Sequence, residues 1–269
     1  MAASKEFEKS EEANILPDRK WLKQLVQPGS SLGGARPKAS VTDAAKALYV
    51  AKFPSRKDDY DVGLWEHLVH LLAAEAGICT ALTKLISTGE GHHTLLSRRF
   101  DRTQEGRRIH FASAMTLLGL TDGDDAATGY GYLDIVDFIL RGCTDVDVNL
   151  RELYRRVAYS ICIGNSDDHF RNHGFLLTPK GWTLSPAYDM NPTLNDHQSL
   201  LISTASNKSD LGILLDACED YMLDAHEARR IITEVVNVTR EWRRLAMRLG
   251  ASKREVDMFG GVFEREWKY

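Results

Sequence analysis

The sequence predicts an α+β fold with two lobes, a small mixed α/β lobe followed by a larger, mostly helical one. Two observations lead to this prediction. Short strand-like runs alternate with one helix early in the chain, whereas amphipathic helical segments dominate the rest. The length of 269 residues suits two lobes that share an interface. We expect residues 1–27 to be a partly flexible extension, residues 28–103 the N-terminal lobe and residues 104–269 the C-terminal lobe.

Three strand or helix elements are predicted in the N-terminal lobe: a strand over 48–53, a helix over 62–77 and a strand over 93–102. Lys52 lies inside the first strand. A lysine that points inward from the middle of a strand is costly unless it is paired, which favours a phosphate partner, although it could also be an exposed edge lysine. Glu66 on the helix lies opposite the leucine stripe. It could therefore hold Lys52 or be a plain surface glutamate.

The C-terminal lobe is predicted to be mostly helical. Short amphipathic helices are expected over 109–119 and 132–142, and the clearest helix covers 149–164, where Gly164 closes it. Two short apolar runs over 174–186, GFLLTP and GWTLSP, are joined by a turn and predict a β-hairpin. The tail is expected to be dominated by a helix over 225–249, whose arginines and glutamates form a solvated face.

Composition excludes several classes of protein. Hydrophobic residues make up 43% and charged residues 27% of the chain, which allows a sizeable core. The formal net charge of −4 argues against a strongly basic nucleic-acid surface. The four cysteines form no C-x-x-C pair and favour reduced thiols, and no apolar run approaches the length of a membrane span. We expect a soluble, cytoplasmic protein that binds neither membranes nor, directly, nucleic acid.

The stretch GNSDDHFRN, residues 164–172, concentrates groups that suit phosphoryl transfer. Asp167 is followed by Asn172 five positions later, and Asp189 comes beyond the hairpin. One carboxylate can orient an attacking hydroxyl and take its proton, while an amide oxygen and a second carboxylate can hold Mg²⁺. Because the hairpin folds Asp189 back toward Asn172, the two side chains could share one ion. Hard oxygen ligands suit Mg²⁺ better than a softer metal.

Other interpretations of the same stretch stay open. His169 could brace the loop or touch a phosphate, and Asp168 is expected to be loop structure. His169 and His173 have the spacing of a zinc pair only if they lie on a helix, which Gly164 disfavours. A metallohydrolase built on these histidines would give Lys52 no role. The simplest alternative is a polar turn without chemistry.

Small residues over 31–38, SLGGARPK, form a loop whose backbone N–H groups could approach an anion. The loop matches neither a Walker A nor a G-x-G-x-x-G pattern and is weak evidence alone. Together with Lys52 it supplies the phosphate-binding half of a phosphoryl-transfer site.

Six stretches of the chain resemble the HipA family of bacterial toxin kinases: SSLGGARPKAS, YVAKFPS, LWEHLVHLLAAEAGI, SRRFDR, GNSDDHFRNHGFLL and WTLSPAYDMNPT. The resemblance runs from about residue 28 to the tail. It implies a protein-kinase-like fold and an ATP- and Mg²⁺-dependent serine/threonine kinase of toxin–antitoxin type.

The resemblance also implies roles for individual residues. Asp167 would be the catalytic base, and Asn172 and Asp189 would bind Mg²⁺. Ser31, or its neighbour Ser30, would be a site of autophosphorylation that ejects the loop and inactivates the kinase. The residues implied to contact ATP are Gly33, Gly34, Ala35, Arg36, Pro37, Lys38, Lys52, Arg98, Arg99, Phe100, His169, Asn172, Tyr188 and Asp189.

HipA-like proteins usually carry an N-terminal subdomain before the Gly-rich loop, whereas 27 residues precede Pro28 here. We therefore expect a short family member, whose missing part a separate small protein would supply, or a truncated gene product. By resemblance, the protein substrate would be an aminoacyl-tRNA synthetase and the partner a HipB-like helix-turn-helix antitoxin. The alternative hypothesis is a catalytically weak or inactive module that binds nucleotide or a partner.

Overall fold

A computed structural model describes residues 36–87, 91–103 and 105–269. The predicted α+β fold is confirmed. A small antiparallel sheet precedes a larger, mostly helical part, and a single long helix lies near the centre of the hydrophobic core.

The first sheet has four strands in the spatial order β1-β2-β4-β3. They are β1 (Lys38–Thr42), β2 (Leu48–Lys52), β3 (Thr83–Ser87) and β4 (His93–Arg98). Helix α1 (Val62–Glu75) packs against β3 and β4. The predicted strands over 48–53 and 93–102 are therefore confirmed but end earlier. Helix α1 ends two residues before Gly77, which takes a left-handed φ of 80°.

The rest of the described chain adds a second sheet, β5-β6-β7, and seven further α-helices. The strands are β5 (His110–Ser113), β6 (Gly174–Thr178) and β7 (Gly181–Leu184), and the helices are α2 (Ala114–Leu118), α3 (Tyr132–Gly142), α4 (Val146–Ile163), α5 (Leu211–Asp216), α6 (Ala225–Thr239), α7 (Trp242–Leu249) and α8 (Lys253–Phe263). Two 3₁₀ turns occupy Ala126–Thr128 and Cys218–Tyr221.

Two helix predictions in this part were wrong in detail. The segment 109–119 begins as strand β5, which pairs with β6 from His110 opposite Leu177 onward, and the helix starts only at Ala114. Pairing with a distant strand overrides the local helical pattern there. The single helix predicted over 225–249 is two helices, α6 and α7. No glycine or proline marks the break, so local sequence gave no signal for it.

The other C-terminal predictions were confirmed. Helix α3 has the expected bounds, the hairpin is β6 and β7, and α4 covers the predicted helix with three additional residues at its start. Helix α4 lies within the hydrophobic core, where its side chains Tyr154, Val157 and Ile161 are fully buried. It ends at Gly164, whose φ of 65° turns the chain into the loop that follows. In the described part of the chain, no helix is both long and apolar enough to cross a membrane.

Candidate active site

A cavity of about 780 Å³ lies between the four-stranded sheet and the loops that follow α4 and β7. Its size is typical of a site for a small-molecule ligand. The lining residues are Lys38, Val50, Lys52, Ser97, Arg98, Arg99, Phe100, Asp101, Phe111, Ser113, Asp122, Asp167, His169, Arg171, Asn172, Tyr188 and Asp189.

Lys52, at the end of β2, is the central cation of the cavity. Its Nζ donates hydrogen bonds to Glu66 Oε1 and to Asp189 Oδ1. Burial alone lowers the pKa of an amine, but the carboxylates of Glu66 and Asp189 raise the pKa of Lys52 above its ordinary value. Lys52 is therefore a buried, charged and paired lysine and not an edge lysine. Glu66 is also buried, so the alternative of a plain surface glutamate was wrong.

Asp189 lies five residues beyond β7 and has a left-handed φ of 57°. This conformation is uncommon for a residue with a side chain, although aspartate adopts it more readily than most. Although burial raises the pKa of a carboxyl group, Lys52 and Lys38 lower the pKa of Asp189 to about 2. The carboxylate is thus held ionised, next to Lys52 and facing the cavity.

The loop after α4 is ordered by its own backbone. The amides of His169 and Asn172 donate to the carbonyls of Asp167 and His169, at 3.1 and 2.8 Å. The side-chain Nδ2 of Asn172 donates to the Asp167 carbonyl at 3.0 Å. Because Nδ2 makes this hydrogen bond, Oδ1 of Asn172 remains available to accept a hydrogen bond or to bind a metal ion. Asp167, His169 and Asn172 all line the cavity.

Asp168 points away from the cavity and into the core. Its Oδ2 accepts hydrogen bonds from Tyr132 on α3 at 2.8 Å and from Ser160 on α4 at 3.0 Å. The Nε2 of His173 lies 3.0 Å from Oδ1. Asp168 and His173 thus anchor the loop, which agrees with the interpretation of both as scaffold. With Asp168 turned inward, its neighbour Asp167 lies at the cavity.

One wall of the cavity is aromatic. The ring of Phe100 lies 5.8 Å from that of Phe111 and 5.6 Å from that of Tyr188, and the Tyr188 hydroxyl donates to the Arg171 carbonyl at 2.6 Å. The rings are tilted against one another, Phe100 by 57° to Phe111 and by 40° to Tyr188, and together they offer apolar surface against which another ring can pack.

Arg98 and Arg99, two residues implied to contact ATP, already make hydrogen bonds through their backbone amides. The Arg98 and Arg99 amides donate to the carbonyls of Leu82 and Leu48, at 2.7 and 2.9 Å. The Arg99 guanidinium pairs with Asp101. Both residues line the cavity, but these N–H groups are not left for a ligand.

The Gly-rich loop is described only from Arg36 onward. The Arg36 guanidinium donates to Asp58 and, at 3.1 Å, to the Phe53 carbonyl, and neither Arg36 nor Pro37 is among the described lining residues. Lys38 does line the cavity, and burial is the main cause that lowers its pKa. The predictions for Ser31, Gly33, Gly34 and Ala35 lie outside the described residues.

Besides Asp167 and the residues implied to contact ATP, the described part of the chain contributes three charged side chains to the cavity lining: Asp101, Asp122 and Arg171. The guanidinium Nε and Nη2 of Arg171 donate to Asp122 Oδ1 at 2.8 and 2.6 Å. Arg171 lies inside the loop already singled out, so its position was a signal. Asp122 belongs to a separate acidic loop, and only the fold brings it to the site.

The donor atoms fit a hard divalent cation. Asn172 Oδ1 and the ionised Asp189 carboxylate are both oxygen donors in one cavity. Within the described ranges, no cluster of three or more His, Cys, Asp or Glu side chains could form a complete protein cage for a metal. A small number of protein ligands is typical of Mg²⁺ sites, because Mg²⁺ is usually bound together with substrate phosphates.

The fold and this cavity define a protein with a protein-kinase-like architecture, in which a strand lysine and a helix glutamate face a loop that carries Asp167 and Asn172. Residues 30–242 match the HipA-like C-terminal domain family. The match covers most of the chain, and the chain belongs to this family.

A curated relative of this chain carries the name of a kinase. A "putative kinase" of Haemophilus influenzae is 27% identical over 186 residues, which cover 62% of this chain and 54% of that protein. The chain thus spans about half the length of this curated relative.

Two solved structures are similar in fold. One is from the complex of HipA, HipB and operator DNA of Shewanella oneidensis MR-1, with a TM-score of 0.69, 16% identity, and coverage of 97% of this chain and 68% of that one. The other is the proinflammatory kinase CtkA of Helicobacter pylori, with a TM-score of 0.64, 16% identity, and coverage of 88% and 90%.

Proposed function

We propose that the protein is an ATP- and Mg²⁺-dependent protein serine/threonine kinase. The observation that carries the proposal is the position of Lys52, bonded to both Glu66 and Asp189 at a cavity that also contains Asp167 and Asn172. Kinases need a lysine–glutamate pair of this kind, in place together with the metal-binding aspartate, before they can transfer a phosphoryl group.

Four residues of the cavity have defined tasks in this mechanism. Asp167 accepts the proton of the acceptor hydroxyl and orients its oxygen for attack. Asn172 Oδ1 and the Asp189 carboxylate would hold Mg²⁺. Lys52 places a fixed positive charge where negative charge gathers during transfer. When bound, the magnesium nucleotide would supply the γ-phosphoryl group, whose bond to ADP breaks as its bond to the acceptor oxygen forms, and the ion would neutralise part of the charge.

Other cavity residues are proposed to bind the nucleotide. Phe100 and Tyr188 offer the aromatic wall for the base, while Arg98 and Arg99 would use their carbonyls because their N–H groups are engaged. Lys38 adds a second cation near the phosphates. We propose further contacts from His169 and from the loop residues Gly33, Gly34, Ala35, Arg36 and Pro37.

Family membership supports finer proposals. We propose that Ser31, or Ser30, is autophosphorylated, that the protein acts in the cytoplasm as the toxin of a toxin–antitoxin pair, and that its substrate is an aminoacyl-tRNA synthetase. Its partner would be a HipB-like antitoxin or a small separate subdomain protein. Residues 28–103 and 104–269 would be the two lobes.

The proposal is tested by incubating the purified protein with γ-labelled ATP and Mg²⁺, with and without cell lysate, and by measuring nucleotide affinity in parallel. We expect label on the protein or on a lysate protein, and we expect Asp167→Asn to abolish transfer while nucleotide affinity changes little. Asp137→Asn, an exposed carboxylate on α3, is the matched control and should transfer normally. Nucleotide binding without any transfer by the unmodified protein would favour the inactive binding module instead.

A further inference from the structure

Helix α1, which carries Glu66, is covered on another side by the C-terminal helices α7 and α8. Trp65, the neighbour of Glu66, has no exposed surface. Its ring centroid lies 4.2 Å from that of Phe259, 6.0 Å from that of Trp242 and 6.2 Å from that of Phe263. Trp242 and Phe263 are stacked, with centroids 4.9 Å apart. Aromatic clusters of this density fix the relative positions of the elements that carry them.

The same helix α8 also binds the first turn of α1 through polar contacts. Glu255 Oε1 accepts a hydrogen bond from the Asp61 backbone amide at 2.7 Å. Asp61 is the N-cap of α1, and its Oδ1 accepts from the Leu64 amide at 3.1 Å. Tyr60 packs its ring edge against Phe259, with centroids 5.1 Å apart. The start of α1, one to two turns before Glu66, is therefore fixed by α8.

Helix α8 touches the candidate catalytic loop as well. Gly164 opens that loop with a left-handed φ, and a Cβ placed on it would lie 2.6 Å from Cγ1 of Val262. Val262 and Phe259 are three residues apart and so lie on one face of α8. One face of a single helix thus contacts both the helix of Glu66 and the start of the loop of Asp167.

We propose that α8 is a positioning element of the active site, which holds α1 where Glu66 meets Lys52. The inference rests on the proposed kinase function, because it concerns how Glu66 is positioned in the proposed active site. Phe259 and Glu255 are then positioning residues that act through Glu66. Helix α8 lies beyond the family match, which ends at residue 242, so this role is not part of what the match conveys.

The two halves of α1 are held by different parts of the molecule. The C-terminal half is fixed by α4, whose Arg155 Nη1 donates to the Ala76 carbonyl at 3.0 Å and whose Tyr159 hydroxyl donates to the Val69 carbonyl. The N-terminal half is held by α7, α8 and β4. Loosening α8 should therefore shift the N-terminal half of α1, which carries Glu66, and leave its C-terminal half in place. The structural change is thus expected in one defined part of α1.

The test is a double-variant cycle in the full chain. Phe259→Leu keeps an apolar side chain but loses the ring contact with Trp65, and Glu66→Gln removes the group through which α8 is proposed to act. Val235→Ala, a buried core truncation on α6, is the control for a general loss of stability. Should Phe259→Leu not fold, Trp65→Phe tests the same contact.

We expect Phe259→Leu to lower kcat by roughly ten-fold with KM for ATP changed less, and to lower it by less than about two-fold when Glu66→Gln is already present. Val235→Ala should lower the melting temperature without lowering kcat. Equal fold-losses in both backgrounds would overturn the proposal, because a purely structural contribution is additive.

Hydrogen exchange gives a second measurement that needs no transfer activity. Amides over 62–70 should lose protection in Phe259→Leu but not in Val235→Ala, while amides over 71–76 keep it. Unchanged protection over 62–70 would overturn the inference. If the unmodified protein transfers no phosphate, or if the activity of Glu66→Gln is too low to measure, the exchange pattern alone tests the positioning role of α8. A failed kinase assay with the expected exchange pattern therefore refutes the proposed function and leaves the positioning role standing.

Discussion

Replacing Lys52 by methionine should both destabilise the protein and stop phosphoryl transfer. The side chain of Glu66 is 3% exposed, so Lys52→Met leaves a buried carboxylate without its cation. Breaking a buried ion pair by removing one partner costs about 3–5 kcal/mol. Asp189 adds little to this cost, because its side chain is 35% exposed and water can solvate it. The free energy of unfolding, measured in urea, should fall by an amount in that range.

A second variant separates stability from activity. In Lys52→Met with Glu66→Leu, both charges are replaced by apolar groups of similar size, which is often neutral or stabilising for a buried pair. We expect the free energy of unfolding to recover and transfer to remain absent. A Lys52→Met protein within about 0.5 kcal/mol of the unmodified one would refute the reasoning, since it would mean that Glu66 is not a buried partner of Lys52.

Two further variants test the surroundings of this ion pair. Asp189→Asn should remove a pH-dependent part of the stability. Burial raises the pKa of Asp189, but the charges of Lys52 and Lys38 outweigh burial and hold it at about 2 against an ordinary 3.8. The contribution of the carboxylate is therefore full only well above pH 3.8 and is lost as the pH falls through 2. Urea midpoints of both proteins across this range should converge at the acid end. Gly63→Ala should lower kcat, because a Cβ there would collide with the His93 carbonyl and push α1 away from β4; steady-state kinetics measures the loss.

Each of these variants has a clear contrary result. A stability difference between Asp189→Asn and the unmodified protein that stays constant from pH 6 to pH 2 would contradict the lowered pKa of Asp189. For Gly63→Ala the control is Gly261→Ala on α8, where the added methyl group meets open space. Equal kcat values for the two alanine variants would contradict the tight approach of α1 to β4.

Features carried by short stretches of sequence could be predicted. The strand of Lys52, the helix that ends at Gly164 and the hairpin after it all follow from local periodicity and from turn residues. The five-residue spacing between Asp167 and Asn172 was enough to predict that both lie in one loop. The cavity contains both side chains, together with Asp189.

Features that depend on contacts between distant segments could not be predicted in the same way. Strand β5 has a helical pattern of its own, and it is a strand only because β6 pairs with it. Asp122 reaches the cavity through a loop that has no sequence relation to Arg171. The resemblance implied that Arg36 contacts ATP, but no local pattern indicated that its side chain would pair with Asp58, 22 positions later.

Helix α1 shows why the role of Glu66 could not be settled from the sequence. A single apolar stripe leads one to expect one buried face and one solvated face, which leaves Glu66 at the surface. In the structure, the sheet covers the side of Glu66 and the C-terminal helices cover the side of Trp65, so both residues are buried. The second cover comes from residues almost two hundred positions later. The packing of α8 against Trp65, which no local pattern signals, is what we propose to hold Glu66 against Lys52.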